Sequence, residues 1–156
     1  MKFVQLIVGK DAVCMLAVAI MLCLAGGRAQ AQAHKAINLA PDRGLPFSDG
    51  IIAGHTLYVA GQEGTDEAGK LAGGGISRET SAALENIQKI VKAAGFDMKD
   101  IVSVTVFLAD IHDFPEMNKV YKTVMPDPKP ARATVQVAAL VNNARIEIAA
   151  IAVKQK

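Results

Sequence analysis

Apolar and polar positions along this chain change period several times, and each change marks an element. Ile51-Ile52-Ala53 and Leu57-Tyr58-Val59-Ala60 are short β-type runs on either side of the turn dipeptide Gly54-His55, a pattern that predicts a hairpin. Gln62 to Gly75 is polar and glycine-rich and predicts a loop. From Ser77 the period becomes helical. Ala83, Leu84, Ile87, Ile90, Val91 and Ala94 share one stripe, with Glu85, Gln88, Lys89 and Lys92 outside it. Ser77 is the expected N-cap and Gly95 the expected stop.

Asp100 to Asp110 returns to period two, with Val102, Val104, Val106 and Leu108 predicted on a core face and Ser103, Thr105 and Phe107 on the other. Asp113-Phe114-Pro115-Glu116 then carries the signals of a helix start, including the acid placed for a capping box. Phe114, Met117, Tyr121, Val124 and Met125 form the predicted buried stripe, ending before Pro126 and Pro128. Two strands follow, Ala131 to Leu140 and Arg145 to Lys154, joined by Val141-Asn142-Asn143-Ala144. This order predicts an α+β domain whose antiparallel-rich sheet carries two helices on one face. Its other sheet face needs a cover, and a second copy of the chain is the expected one.

The first quarter of the 156 residues follows no such pattern. Lys2 and Lys10 precede an apolar run from Ala12 to Ala25, and Ala31-Gln32-Ala33 offers a small-x-small cleavage site before His34. These are the features of a secretory signal peptide, and the run is shorter than the ~20 residues that span a bilayer. The expected organisation is therefore a signal peptide at 1–33 and a single domain at 34–156, exported to the periplasm or secreted, with an uncleaved anchor as the competing reading. Cys14 and Cys23 both fall in the leader, so the remainder has no thiol chemistry and no disulfide. The leader also holds Lys2, Lys10, Arg28 and Asp11 of the 17 basic and 15 acidic residues. The rest is balanced at 14 of each, which argues against a nucleic-acid partner.

The polar residues of the last two strands are the candidates for chemistry. Alternation places Arg132, Thr134 and Gln136 on one face of their strand, and makes Glu147 the only acid on an otherwise apolar final strand. An arginine on a rigid element suits a carboxylate ligand, and a half-buried acid suits proton transfer. A buried ion pair between the two is the plain structural alternative. A tight turn at Asn142-Asn143 would put them on the same face about 20 Å apart by strand rise, so they would meet only across a subunit boundary or if the turn lies elsewhere. Gly73-Gly74-Gly75 lacks the spacing and lysine of a phosphate loop, and His55 and His112 lack partners at metal-ligand spacing. No metal and no cofactor is expected.

Pro130-Ala131-Arg132-Ala133-Thr134-Val135-Gln136-Val137-Ala138 and Arg145-Ile146-Glu147-Ile148-Ala149-Ala150-Ile151-Ala152-Val153 resemble the C-terminal signature of the reactive intermediate deaminase (Rid, or YjgF/UK114-type) family. Val59-Ala60-Gly61-Gln62, Ala83-Leu84-Glu85-Asn86-Ile87, Ala93-Ala94-Gly95 and Val104-Thr105-Val106-Phe107-Leu108-Ala109-Asp110 are similar to family segments in the same order. The resemblance implies a chorismate-mutase-like fold, a homotrimer with clefts between subunits, and cofactor-free hydrolysis of 2-imino and enamine acids to 2-keto acids. It assigns the substrate carboxylate to Arg132 and the handling of water to Glu147. Asn118 and Gly61 match further cleft positions. Phe47 stands where the family commonly has tyrosine, Ala60 where it has serine or threonine, and Thr134 where its best-known members have cysteine. The alternative expectation is a trimeric, non-catalytic binding protein for small carboxylates such as 2-keto acids. A ribonuclease or chaperone-like protein is a third.

Overall fold

The computed structural model describes residues 33–41 and 44–154. The expected leader, apart from Ala33, lies outside the described residues. Among the described residues there are six strands and two α-helices: β1 (Lys35–Ile37), β2 (Gly50–Ala53), β3 (Thr56–Glu63), α1 (Ile76–Ala93), β4 (Ile101–Leu108), α2 (Phe114–Val124), β5 (Ala131–Gln136) and β6 (Ile146–Val153). The strands make one sheet in the order β1-β2-β3-β6-β4-β5. All its pairings are antiparallel except β4 with β5. The α+β class and the antiparallel-rich mixed sheet therefore stand as expected. Among the described residues no helix is long and apolar enough to cross a membrane.

One apolar layer joins helices to sheet. Leu84, Ile87, Ile90 and Val91 of α1 and Met117 and Tyr121 of α2 are buried with Leu57, Val59, Val104, Val106, Ile146 and Ile148 of the strands. The β2–β3 hairpin turns at Gly54, whose φ of +65° lies in the left-handed region that glycine adopts most readily. The stop of α1 is a left-handed cap: Gly95 has φ +77°, its N–H donates to Lys92 and that of Phe96 to Val91, each at 2.9 Å.

Both expected helix starts differ in detail. Gly75 is the N-cap of α1, and Ser77 lies inside the first turn, its hydroxyl donating to Glu116 at 2.8 Å. The Asp113 carboxylate makes no cap to α2 because it is engaged by the Arg145 guanidinium at 2.8–3.0 Å. Val124 faces solvent, so the α2 stripe runs from a half-buried Phe114 through Met117 and Tyr121 to Met125.

Three corrections bear on the site. Val102 is not a core residue. One extra residue is accommodated between the pairs Ile101↔Ala152 and Ser103↔Ile151, so Ile101 takes the core position and Val102 is expelled. The last two strands are shorter than their apolar runs and are not a hairpin. After Gln136 the chain crosses to the far side of β4, with Asn142 and Asn143 in left-handed conformation, and β6 inserts between β3 and β4. Consequently Arg132 and Glu147 are not on the same face. Arg132 and Ala150 both pair with Val104 and point toward the helices, whereas Glu147 pairs with Phe107 and points away from them.

Candidate active site

Arg132 is mounted on β5, a strand at the edge of the sheet, and its side chain is gripped by α2. Its Nη2 donates to Asn118 Oδ1 at 2.7 Å. Its guanidinium carbon lies 4.4 Å from the Tyr121 ring centroid and 5.6 Å from that of Phe114, within the range where a cation is attracted to an aromatic face. Nη1 also donates weakly to Met117 Sδ at 4.0 Å, and stacking with these two bonds fixes the plane of the fork while leaving N–H donors for a further partner. Two buried oxygens nearby, Thr134 Oγ1 and Tyr121 Oη, have no hydrogen-bond partner among the described residues. Such groups cost free energy unless something satisfies them. Burial pushes the Tyr121 phenol above its ordinary pKa, opposed by the adjacent Arg132 charge.

The other expected residues gather on the opposite face. Phe47, Ala60, Gly61 and Glu147 line one cavity of about 590 Å³. A bulge positions them: β3 pairs Val59 with Ala150 but Gln62 with Ile148, so Ala60 and Gly61 together oppose a single residue of β6. Gly61 makes room there for the Glu147 carboxylate. A β-carbon on it would fall within the Glu147 carboxylate. Phe47 is 56% exposed, so its ring forms an outer wall of the cavity. A larger hollow of about 720 Å³ on the helix side, bordered by Gln62, Asn86 and Lys89, contains none of the expected site residues.

Thus the seven expected residues form two groups. Arg132, Asn118 and Thr134 assemble at the β5 edge, while Phe47, Ala60, Gly61 and Glu147 assemble across the sheet. The register rules out an Arg132–Glu147 ion pair within one chain. Sequence reasoning passed over three participants. Tyr121 stood out only as a core position of α2, although its spacing of three from Asn118 placed both on one helix face. Glu63 was hidden in a polar loop, because the bulge that gives it an outward direction has no alternation to betray it. Asn142 was assigned only to the turn, yet its Nδ2 donates to Glu63 Oε2 at 3.1 Å.

The fold is thus a six-stranded α+β sheet with helices on one face, an aromatic-backed arginine at its edge and an acid on its open face. The sequence profile of the Endoribonuclease L-PSP family matches residues 37–154. The chain is 48% identical over 110 residues to the 2-iminobutanoate/2-iminopropanoate deaminase of Bos taurus, covering 70% of this chain and 80% of that protein. The crystal structure of the YjgF gene product of E. coli superposes with a TM-score of 0.72 at 34% identity, covering 78% of this chain and 99% of the other. E. coli TdcF with bound serine gives the same identity, coverage and TM-score. The chain belongs to this family, the Rid/YjgF (L-PSP) family.

Proposed function

We propose that this chain hydrolyses reactive 2-imino and enamine acids to 2-keto acids and ammonia, acting as a homotrimer whose clefts unite the Arg132 group of one copy with the Glu147 group of another. The observation that carries the reading is the Arg132 fork, fixed by Asn118 and Tyr121 beside two buried hydroxyl oxygens that have no hydrogen-bond partner among the described residues. A planar fork of that kind binds a substrate carboxylate through two parallel bonds and fixes the reacting carbon relative to a second group. The identity to a 2-iminobutanoate/2-iminopropanoate deaminase supports the same reaction class. The wall that carries Glu147 then supplies what imine hydrolysis requires: a carboxylate that takes a proton as water attacks carbon, and returns it as nitrogen leaves.

The trimeric cleft is supported by the separation of the two groups on opposite sheet faces and by apolar side chains exposed on the face away from the helices. Tyr58, Val135 and Val153 are 50%, 44% and 37% exposed there. The apolar run and small-x-small site before His34 support export of the enzyme. No RNA-binding role is assigned: after the leader, basic and acidic residues balance, and ribonucleic acid is bound chiefly through clustered positive charge.

The test is keto-acid release from imino acids generated in place by an amino-acid oxidase, with semicarbazide as the competing trap. Arg132→Ala removes a hydrogen-bonded charge from the cleft, a loss of about 2–5 kcal/mol, and hydrolysis is expected to fall at least ~30-fold. An inactive but folded wild-type chain that binds 2-keto acids saturably would instead establish the non-catalytic binding protein.

A further inference from the structure

Bulge geometry places a second carboxyl group beside Glu147. Glu63 and Glu147 are directly paired residues of antiparallel β3 and β6, so their side chains leave the same face with β-carbons about 5 Å apart. Both line the 590 Å³ cavity. Had β3 continued without the extra residue at Ala60-Gly61, Glu63 would point to the other face, since a one-residue slip inverts every side chain. One oxygen of Glu63 accepts from Asn142 at 3.1 Å, while the other, Oε1, is buried without a partner among the described residues.

A carboxylate oxygen buried with no donor is unfavourable. A proton on that oxygen removes the difficulty and turns it into a donor. The charged groups surrounding it oppose its ionisation. Glu147 faces it from β6, the charge of Glu79 on α1 acts in the same sense, and Asp49 shares the cavity wall, while among the described residues of the chain no lysine or arginine lines the cavity; the one cation the proposed trimer brings to the cleft is Arg132 of another copy, which the substrate carboxylate neutralises. The Glu147 charge beside it adds to the cost of ionising Glu63. Burial first, then the neighbouring acids, raise the pKa of Glu63 above the ordinary glutamate range, against the lowering effect of Asn142.

We propose that Glu63 is a second catalytic acid–base residue of this cleft, working with Glu147 as a carboxyl pair that shares one proton. The inference rests on the imine-hydrolase reading. With Glu147 ionised and Glu63 protonated, the oxygen of water bonds to the imine carbon as a water proton passes to Glu147 and the Glu63 proton passes to nitrogen. The product is a neutral carbinolamine, with the two carboxyls exchanged in protonation. Glu147 then gives its proton to nitrogen, the C–N bond breaks, and the hydroxyl proton moves to Glu63. Keto acid and ammonia depart, and the pair is restored with no net proton gained or lost.

The deciding experiment compares wild type, Glu63→Gln and Glu63→Asp as full chains in the semicarbazide-competition assay across pH, together with a carboxyl-carbon NMR titration of Glu63 in wild type and in Glu147→Gln. The wild type is expected to lose kcat as pH rises and the shared proton leaves. Glu63→Gln is expected to fall about 10²-fold in kcat, with KM little changed and the alkaline decline abolished, and Glu63→Asp to regain part of the rate. Neutralising Glu147 is expected to move the Glu63 titration downward. An active wild type with an unchanged Glu63→Gln rate and profile, or a Glu63 titration indifferent to Glu147→Gln, overturns the carboxyl pair and leaves the deaminase intact. A folded wild type inactive on every imino acid overturns the deaminase reading itself, and the catalytic role of Glu63 with it.

Discussion

Glu147 occupies its position because Gly61 has no side chain. The contact is close enough that any β-carbon at 61 displaces the carboxylate, and displacing a reacting group by an ångström can cost about two orders of magnitude in rate. Gly61→Ala is therefore expected to lower kcat by about 10²-fold in the imino-acid assay, whereas its melting temperature moves little, because the bulge already interrupts regular pairing there. Glu63 adds a pH-dependent term to stability. Its pKa is raised in the folded chain, mainly by burial, so over the window between the ordinary glutamate range and that raised value the folded state binds more protons than the unfolded state. Stability then falls as pH rises through the window. Glu63→Gln lacks this loss, and urea unfolding is expected to show the variant gaining on wild type above the window, with the gap closing in acid. A gap independent of pH would assign the difference to packing.

Element by element, the sequence yields direction more readily than adjacency. Hydrophobic period located both helices, the β2–β3 hairpin and the inward residues of β6, because burial of one face imposes it. Gly95 was legible for a local reason: its φ of +77° lets two backbone donors close the end of α1. Gly95→Ala should cost about 1 kcal/mol, the penalty of a left-handed conformation with a β-carbon, read from urea midpoints. Adjacency was not legible in this way. Two apolar strands around Asn142-Asn143 read as a hairpin, whereas β4, α2 and β5 form a parallel strand–helix–strand unit and β6 pairs elsewhere. Period two fixes which side chains share a face of one strand, but the partner strand is set by long-range packing. The bulges at Val102 and at Ala60-Gly61 were invisible for a related reason, since an extra residue breaks the alternation on which the reading depends.

At the scale of the molecule, half of the candidate site could be identified from residues and the other half only from placement. Arg132 and Glu147 stood out as charges on apolar strands, and the resemblance supplied their partners. Their location on opposite faces depends on the insertion of β6 between β3 and β4, which no local pattern encodes. That separation is why the proposed site lies between copies: among the described residues, one chain has the Arg132 fork without an acid beside it, and the Glu63–Glu147 pair without a fork. Closed rotational symmetry brings every fork to a neighbour's acid pair if the same interface repeats.

Mixing two inactive variants tests this most directly. Arg132→Ala and Glu147→Gln chains, each expected to be nearly inactive alone, are unfolded together at equal concentration, refolded and assayed for imino-acid hydrolysis. With clefts that combine Arg132 of one copy and Glu147 of the next, random reassortment in a closed ring restores about a quarter of the wild-type clefts, and activity returns to that order. Failure to recover any activity in well-folded mixed oligomers would contradict a site shared between copies.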